Sequence, residues 1–138
     1  MSKSDYLEAA VLNHVFRGTG LAVPANVYVS LHTADPGDTG GNEVATAGTG
    51  YARVAVAGAA GSWSAPADSG VAKQIANSAA IVFPNATGDW GTVTHFGIWD
   101  AASGGNFLYR GVLAVGRAIL AGDVAPQFAA GAVTISES

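Results

Sequence analysis

The sequence predicts a mainly β protein: an antiparallel β-sandwich or barrel-like domain with one N-terminal amphipathic helix. Apolar residues recur at helical spacing before Pro24, and after it they alternate with polar residues at a period of two. About eight short segments of this second kind follow, separated by turns rich in Gly and Asn. Strands do not alternate with helices, which disfavours a parallel nucleotide-binding sheet. We therefore expect a helix within residues 1–20 and one compact β-domain over residues 21–138.

An apolar stripe predicts the N-terminal helix. Leu7, Val11 and Val15 are spaced four residues apart, and Leu12 and Phe16 widen the stripe. A helix this short is stable only where its apolar face packs against something. We expect that face to lie on its own sandwich or on a neighbouring subunit. The candidate assembly contacts are Leu7, Val11, Val15 and Phe16.

The ends of this helix are predicted from their capping residues. Asp5 and Glu8 have the spacing of a capping box, with Asp5 accepting backbone N–H groups at the start of the helix. Arg17 lies at the negative end of the helix dipole. Gly18 can adopt the left-handed conformation that ends a helix.

Short alternating segments bounded by Gly, Pro and Asn predict the strands. The predicted strands are residues 27–32, 51–56, 61–65, 75–83, 92–100, 107–115, 117–120, 127–128 and 133–136. Residues 34–50 form a long polar loop in this prediction, and residues 101–105 form a hairpin-like loop. Alternation is clearest over residues 92–100, where apolar and polar side chains change at each step.

Composition and charge exclude several classes of protein. A chain of 138 residues fits one domain, and its 49% hydrophobic residues exclude intrinsic disorder. Only 12% of residues are charged, which suits a subunit whose surface is covered by neighbours. The six Lys and Arg residues are scattered and the net charge is −4, so we expect no direct contact with nucleic acid.

Cysteine and membrane signals are missing from the sequence. With no cysteine, the chain can form neither disulfides nor a thiolate nucleophile. No apolar run approaches the roughly 18–20 residues that span a bilayer. The first residues do not resemble a signal peptide. We expect no membrane partner and synthesis in a cytoplasm.

No residue pattern predicts catalysis or a cofactor. His14, His32 and His95 lack a second ligand at metal-binding spacing, and there is no G-x-S-x-G motif. We therefore predict no catalytic, cofactor-binding or metal-binding residue. The loop between Asp35 and Glu43 is rich in side-chain oxygens, which can bind calcium and can also form turns. The sequence does not distinguish a calcium site from a turn here.

Aromatic residues are the remaining candidates for ligand binding. Trp99, with Phe96 and Phe107, is expected in the core or at a subunit interface. Trp90 lies in a turn at residues 88–91 and is expected to be exposed. Trp63 and Trp90 are therefore the candidate exposed binding aromatics, which could stack on sugar rings.

Several short motifs occur in one order along the chain. They are DYLE at 5–8, LNHVFRG at 12–18, VYVSLHT at 27–33, DP at 35–36, GYAR at 50–53, FP at 83–84, DWGTVTHFGIWD at 89–100, and an ending at 122–136 that closes with GAVTIS. With these motifs the chain resembles small virion structural proteins of tailed bacteriophages, which are usually labelled phage tail fibre or structural proteins. The resemblance extends over nearly the whole chain.

The resemblance implies a structural place on a virus particle and no catalytic residues. We expect a non-enzymatic subunit, either a capsid decoration (cement) protein or a tail-associated protein, made in the cytoplasm of the host bacterium. Its expected partners are copies of itself, as trimers or higher rings by analogy with virion spikes, and another virion protein such as the major capsid or a tail protein. The alternative is a tail fibre or tip module that binds a host-surface glycan. A lectin or carbohydrate-active enzyme with a β-sandwich is a further class.

Overall fold

The computed structural model describes residues 2–137, and most of its regular structure consists of strands. In chain order the elements are β1 (Ser2–Lys3), α1 (Asp5–Arg17), β2 (Asn26–His32), β3 (Val54–Ala57), β4 (Ala67–Ser69), β5 (Ala72–Ala76), β6 (Ile81–Val82), β7 (Gly91–Trp99), β8 (Phe107–Ile119), β9 (Gln127–Phe128) and β10 (Thr134–Glu137). The predicted mainly β class with one N-terminal helix is confirmed.

The strands form three antiparallel sheets. The largest has five strands in the order β1-β8-β7-β2-β3, and it is accompanied by the sheets β10-β5-β4 and β6-β9. Within residues 2–137, β1 and β3 are the open edges of the large sheet, so this part of the chain is an open sandwich and not a closed barrel.

The core lies between the large sheet and the two smaller ones. Val29 pairs with Ile98 and Leu31 with Phe96 across β2 and β7, so these four side chains share one face. Other buried members close the core from the smaller sheets and loops: Val44, Tyr51, Ile81, Phe83, Ala86, Trp90, Val93, Ile119, Val133 and Ile135.

The strand β7 confirms the clearest of the strand predictions, with a shift of one residue at each end. Its partner β8 is one strand, where the sequence predicted two. Val93 pairs with Arg117 and His95 with Val112, so residues 113–116 bulge out opposite Thr94. Because these residues are accommodated in the bulge, β8 continues past the point where the sequence predicted that one strand ends and the next begins.

The prediction of one strand over residues 75–83 is wrong, because the buried side chain of Asn77 ends β5. Its Nδ2 donates to the carbonyl oxygens of Ala79 and Ala129 at 2.8 and 3.0 Å. Its Oδ1 accepts from the Val133 N–H at 2.9 Å. These bonds satisfy buried backbone groups and form a turn before β6.

Two neighbouring strand predictions are also only partly met. Residues 61–65 form no strand, and Trp63 alone makes an isolated bridge to Asn77. The strand predicted from Tyr51 begins at Val54, because Tyr51 is buried in the core and its hydroxyl accepts from the Leu31 N–H.

The second half of β2 is buried on both faces, whereas its alternation predicted a half-buried strand. Val29 and Leu31 face the core, and Ser30 and His32 are fully buried on the opposite face. The loop that follows β2 causes this, because its Gly41 carbonyl oxygen binds the His32 ring and Gly40 lies directly against the Trp99 ring. The predicted long loop is therefore present, and it covers the outer face of the sheet.

Helix α1 lies within residues 1–20 and has the predicted C-cap, with Gly18 at φ 68°. Its N-cap is Ser4 and not Asp5: the Ser4 Oγ accepts from the Leu7 N–H at 3.1 Å. Ser4 also donates to the Phe107 carbonyl oxygen, which holds the start of the helix on β8. No helix within residues 2–137 is long and apolar enough to cross a bilayer.

Candidate functional site

Only the first turns of helix α1 pack against the sheet. Leu7 has 8% of its surface exposed and Val11 is half-buried, whereas Leu12, Val15 and Phe16 are 58%, 62% and 78% exposed. We call these last three residues the helix ridge. Of the candidate assembly contacts, Leu7 therefore packs within its own chain, while Val15 and Phe16 are available to a partner.

The helical spacing explains this division of the stripe. At 100° per residue, Leu7 and Leu12 point in directions about 140° apart, so one helix cannot press both against β8. The helix contacts the rest of the fold at β8. Its apolar stripe is thus wider than the surface that its own domain offers. If a partner covered these exposed side chains, each Å² of apolar surface removed from water would stabilise the complex by about 25 cal/mol.

Trp90 is buried, so the prediction that it is an exposed binding residue is wrong. Its exposed fraction is 4%, and its ring packs edge-on against Tyr51 at a centroid distance of 5.3 Å. The indole Nε1 donates to the Thr49 carbonyl oxygen at 2.8 Å. The turn directs the ring inward because the Trp90 N–H is bound to the Ile119 carbonyl oxygen, at the end of β8.

Trp63 is half-buried and packs against the core, so its expected exposure is met only in part. Its ring lines an open groove of about 330 Å³ between the large sheet and the sheet β10-β5-β4. We call this the sheet groove. Its apolar lining includes Val27, Ile75, Ile98 and Ile135.

A second apolar groove, of about 320 Å³, lies beside the bulged part of β8. We call it the β8 groove, and its lining includes Val112, Val115, Arg117 and Phe128. Val112 and Val115 are 72% and 80% exposed. In the sequence, this surface is indicated by the uncharged run over residues 111–116. The alternating pattern of this region was interpreted only as strand, so the exposed surface was not predicted.

A buried chain of hydrogen bonds crosses the outer face of the large sheet. The Trp99 Nε1 donates to the Ser30 Oγ at 2.9 Å, and the Ser30 hydroxyl donates to the His32 Nε2 at 2.7 Å. The His32 Nδ1 lies 2.7 Å from the Gly41 carbonyl oxygen, which can only accept, so Nδ1 carries the ring hydrogen. Burial lowers the pKa of His32 below its usual value.

This serine–histidine pair stabilises the fold and is closed to a substrate, since both side chains are fully buried. Gly97 lies against the pair: an added Cβ would come within 2.7 Å of the Ser30 Oγ and 2.8 Å of the His32 Nε2. The remaining histidines are bound locally, His14 to the Thr19 carbonyl oxygen and His95 to the Thr94 hydroxyl.

An ion pair fixes the covering loop above this chain of hydrogen bonds. Arg53 binds Glu43 through two hydrogen bonds of 2.8 Å, and its guanidinium stacks 3.7 Å from the centroid of the Trp99 ring. Burial on its own would raise the pKa of Glu43, but hydrogen bonds from Arg53 and Tyr51 outweigh it and hold that pKa below its usual value. Burial also raises the pKa of the Tyr51 hydroxyl.

The acidic residues of the oxygen-rich loop are bound to arginines. Asp35 and Asp38 lie 3.2 and 3.6 Å from the Arg110 guanidinium, and Glu43 binds Arg53. The Gly37 N–H and then Arg110 lower the pKa of Asp35. Among the described residues, no three or more His, Cys, Asp or Glu side chains are grouped as metal ligands would be.

Comparison with known proteins gives the chain a family. A family model described as Podophage GP4 fiber I protein gp80 matches residues 2–136, nearly the whole chain. A search of the curated proteins found no match. The family match confirms the resemblance to phage tail fibre and structural proteins. It also supports a structural role for this chain in the virion. The chain belongs to the family Podophage GP4 fiber I protein gp80, one of the structural fibre families of phages.

Proposed function

We propose that this protein is a non-enzymatic, tail-associated subunit that works by protein–protein assembly. Its partners in this proposal are copies of itself and another virion protein. The observation that carries the proposal is the helix ridge, where Leu12, Val15 and Phe16 are more than half exposed on a helix anchored to the sheet. The word fiber in the description of the family is the reason for proposing the tail as its place.

The composition of the surface supports assembly through apolar contact. The exposed large hydrophobic residues are Tyr6, Leu12, Val15, Phe16, Val23, Val71, Val82, Val112, Val115, Leu120 and Val124. Charged residues make up only 12% of the chain. Protein interfaces are depleted of charge at their centres and enriched in aromatic residues such as Phe16.

Glycan binding has less support. Neither candidate tryptophan presents a fully exposed ring for a sugar, since the Trp90 ring is buried and the Trp63 ring is half-buried. Catalysis also lacks support among the described residues, since the buried Ser30 and His32 are inaccessible to a substrate.

Sedimentation of the purified protein tests assembly through the helix ridge. Burying a Phe side chain contributes about 1.5–3 kcal/mol, so we expect Phe16→Ser to raise the dissociation constant about ten- to hundredfold. Val71→Ser is the matched control, because Val71 is fully exposed in the turn between β4 and β5. A wild-type chain that stays monomeric at every concentration, or equal effects of the two substitutions, would contradict the proposal.

Gold-labelled antibody against the protein tests its location. We expect label on the tails of intact virions and none on tail-free capsids. Label on the capsid shell would instead make the protein a decoration subunit, and the tail assignment would be withdrawn.

A further inference from the structure

We propose that the helix ridge of one copy packs into the β8 groove of the next copy, with Glu8 of the first copy beside Arg117 of the second. The inference rests on the proposed function and adds the surface that receives the ridge. Each copy presents both halves, exposed apolar side chains on a helix and an open apolar groove of about 320 Å³. Charged side chains without a partner select this groove over the sheet groove.

Most charged side chains in the described part of the chain have a partner within the same copy. The paired cations bind acids in ion pairs, and other acids accept hydrogen bonds from nearby N–H groups. Within residues 2–137, the charged side chains with neither an ion pair nor a side-chain hydrogen bond are Asp5, Glu8, Arg17 and Arg117. All four are exposed, so a partner can reach them.

The two unpaired acids lie on the same side of helix α1 as the helix ridge. Glu8 precedes Leu12 by four residues and Asp5 precedes it by seven. At 100° per residue, these two side chains point within about 40° and 20° of the direction of Leu12. Arg17 points about 140° away from that direction, towards the opposite side of the helix. The face that carries the ridge is therefore apolar at its C-terminal end and negative one to two turns earlier.

The β8 groove is complementary to this face. Its lining is largely apolar, and within the described residues Arg117 is the only charged side chain that lines it. Glu8 lies about one helical turn, roughly 5.4 Å, before Leu12. The long side chain of Arg117 can span that distance when Leu12 and Phe16 are seated in the groove. Opposite charges would then fix the direction in which the helix lies.

The sheet groove offers no unpaired charge to the helix. The charged residues that line it already form ion pairs, Glu137 with Lys3 and Lys73 with Asp68. An acid from a second copy would have to displace one of these pairs, and Glu137 would repel Glu8. Charge therefore favours the β8 groove as the receiving surface.

A contact between two different surfaces has a consequence for symmetry. Because the ridge and the groove are distinct, joining them leaves one free ridge and one free groove at the ends of any open row of copies. Such a contact closes into a ring when the rotation allows it and otherwise extends as a filament. Both outcomes repeat the subunit around or along an axis.

Exchanging the two charges tests the pairing. Glu8→Arg or Arg117→Glu alone places like charges across the contact, so we expect each to raise the dissociation constant about three- to tenfold at low salt. A chain that carries both substitutions restores opposite charges and should assemble almost as tightly as the wild-type protein. Sedimentation equilibrium at a series of concentrations measures all three variants.

Arg17→Glu is the matched control for the charge exchange. Arg17 is also exposed and unpaired, but it points away from the ridge, so its reversal should change the dissociation constant by less than about twofold. Equal effects of Arg17→Glu and Arg117→Glu would overturn the inference. A double variant that assembles no better than the two single variants would also overturn it.

Disulfide cross-linking tests the contact independently of charge, because the natural chain contains no cysteine. Val15→Cys places a thiol in the ridge and leaves Phe16 intact, and Val112→Cys places one at the exposed edge of the β8 groove. We expect neither variant alone to cross-link under mild oxidation, and an equal mixture of the two to give a covalent dimer. Val71→Cys, fully exposed and outside the groove, should give little product when mixed with Val15→Cys.

The cross-linking outcomes separate this contact from its alternatives. Homodimers of Val15→Cys alone would show a ridge-to-ridge contact and reject the inference, as would equal cross-linking to Val112→Cys and Val71→Cys. If the wild-type protein assembles and Phe16→Ser weakens assembly while the mixture fails to cross-link, only the head-to-tail contact is wrong. A monomeric wild-type protein would reject both proposals.

Discussion

At the scale of single residues, His32 shows how a polar side chain is accommodated at the centre of an apolar sheet. Both ring nitrogens have partners, Ser30 on one side and Gly41 on the other. Within the described part of the chain, no buried side-chain nitrogen or oxygen lacks a hydrogen-bond partner. A neutral ring satisfies this arrangement, whereas a second ring proton would face the hydroxyl group that now donates to it.

The stability of the fold should therefore depend on the charge of His32. Because burial lowers its pKa in the folded state, the unfolded chain binds more protons once the pH falls below about 6.5. We expect the contribution of His32 to the free energy of unfolding to be constant above that pH and to decrease as the pH falls from about 6.5 towards 5.5. Urea unfolding at a series of pH values measures this slope.

His32→Asn provides the comparison for the pH series. The Asn amide can still donate to Gly41 but cannot take up a proton, so the slope between pH 7 and 5.5 should become shallower even if the variant is less stable overall. Identical slopes for the two proteins would assign the pH dependence to other groups.

At the scale of elements, the helix is anchored at one end only. Strand β1 pairs with Tyr109 and Arg110 of β8, and Ser4 then joins the sheet to the first turn of the helix. Beyond Leu7 the helix contributes little buried surface. The anchoring of its N-terminus holds the helix ridge in a fixed orientation on the fold while leaving it exposed.

The N-cap makes a prediction that separates Ser4 from Asp5. Ser4 is buried and its hydroxyl both caps the helix and donates to the Phe107 carbonyl oxygen. We expect Ser4→Ala to lower the free energy of unfolding by about 2 kcal/mol. Asp5→Ala, at an exposed position in the first turn, should change it by less than about 0.5 kcal/mol. Urea unfolding of both variants measures the difference, and a larger loss for Asp5→Ala would contradict the assigned cap.

At the scale of the whole molecule, folding and assembly should be thermodynamically linked. The three sheets bury a continuous core, yet the helix ridge and both grooves stay open. A partner that binds only the folded chain stabilises it, by an amount that grows with the partner's concentration. When the partner is a second copy, the stability depends on the concentration of the protein itself.

Thermal unfolding checks this linkage. We expect the Tm of the wild-type protein to rise with protein concentration, and the Tm of Phe16→Ser to be nearly independent of it. At the lowest concentration the two proteins should unfold at similar temperatures, because the Phe16 side chain is 78% exposed in a single copy. A Tm of the wild-type protein that does not change with concentration would be evidence against self-assembly.

Local patterns account for the elements that the sequence predicted well. Helix α1 and strand β7 were found because a period of 3.6 or of two residues persists over many positions. The split between β5 and β6 was missed, since the side chain of Asn77 binds Ala129 and Val133, which are more than fifty residues away. Trp90 was misplaced for a similar reason, because its partners Thr49 and Tyr51 belong to a distant loop.

By itself the sequence determined the mainly β class, the extent of the helix, the width of its apolar stripe and the shortage of surface charge. Those properties follow from residue type and local spacing. Only the tertiary structure decided that Leu7 is covered while Phe16 is not, that Trp90 lies in the core, and that two grooves open between the sheets. Burial depends on which distant segments pack together, and periodicity within one segment carries no information about its partners.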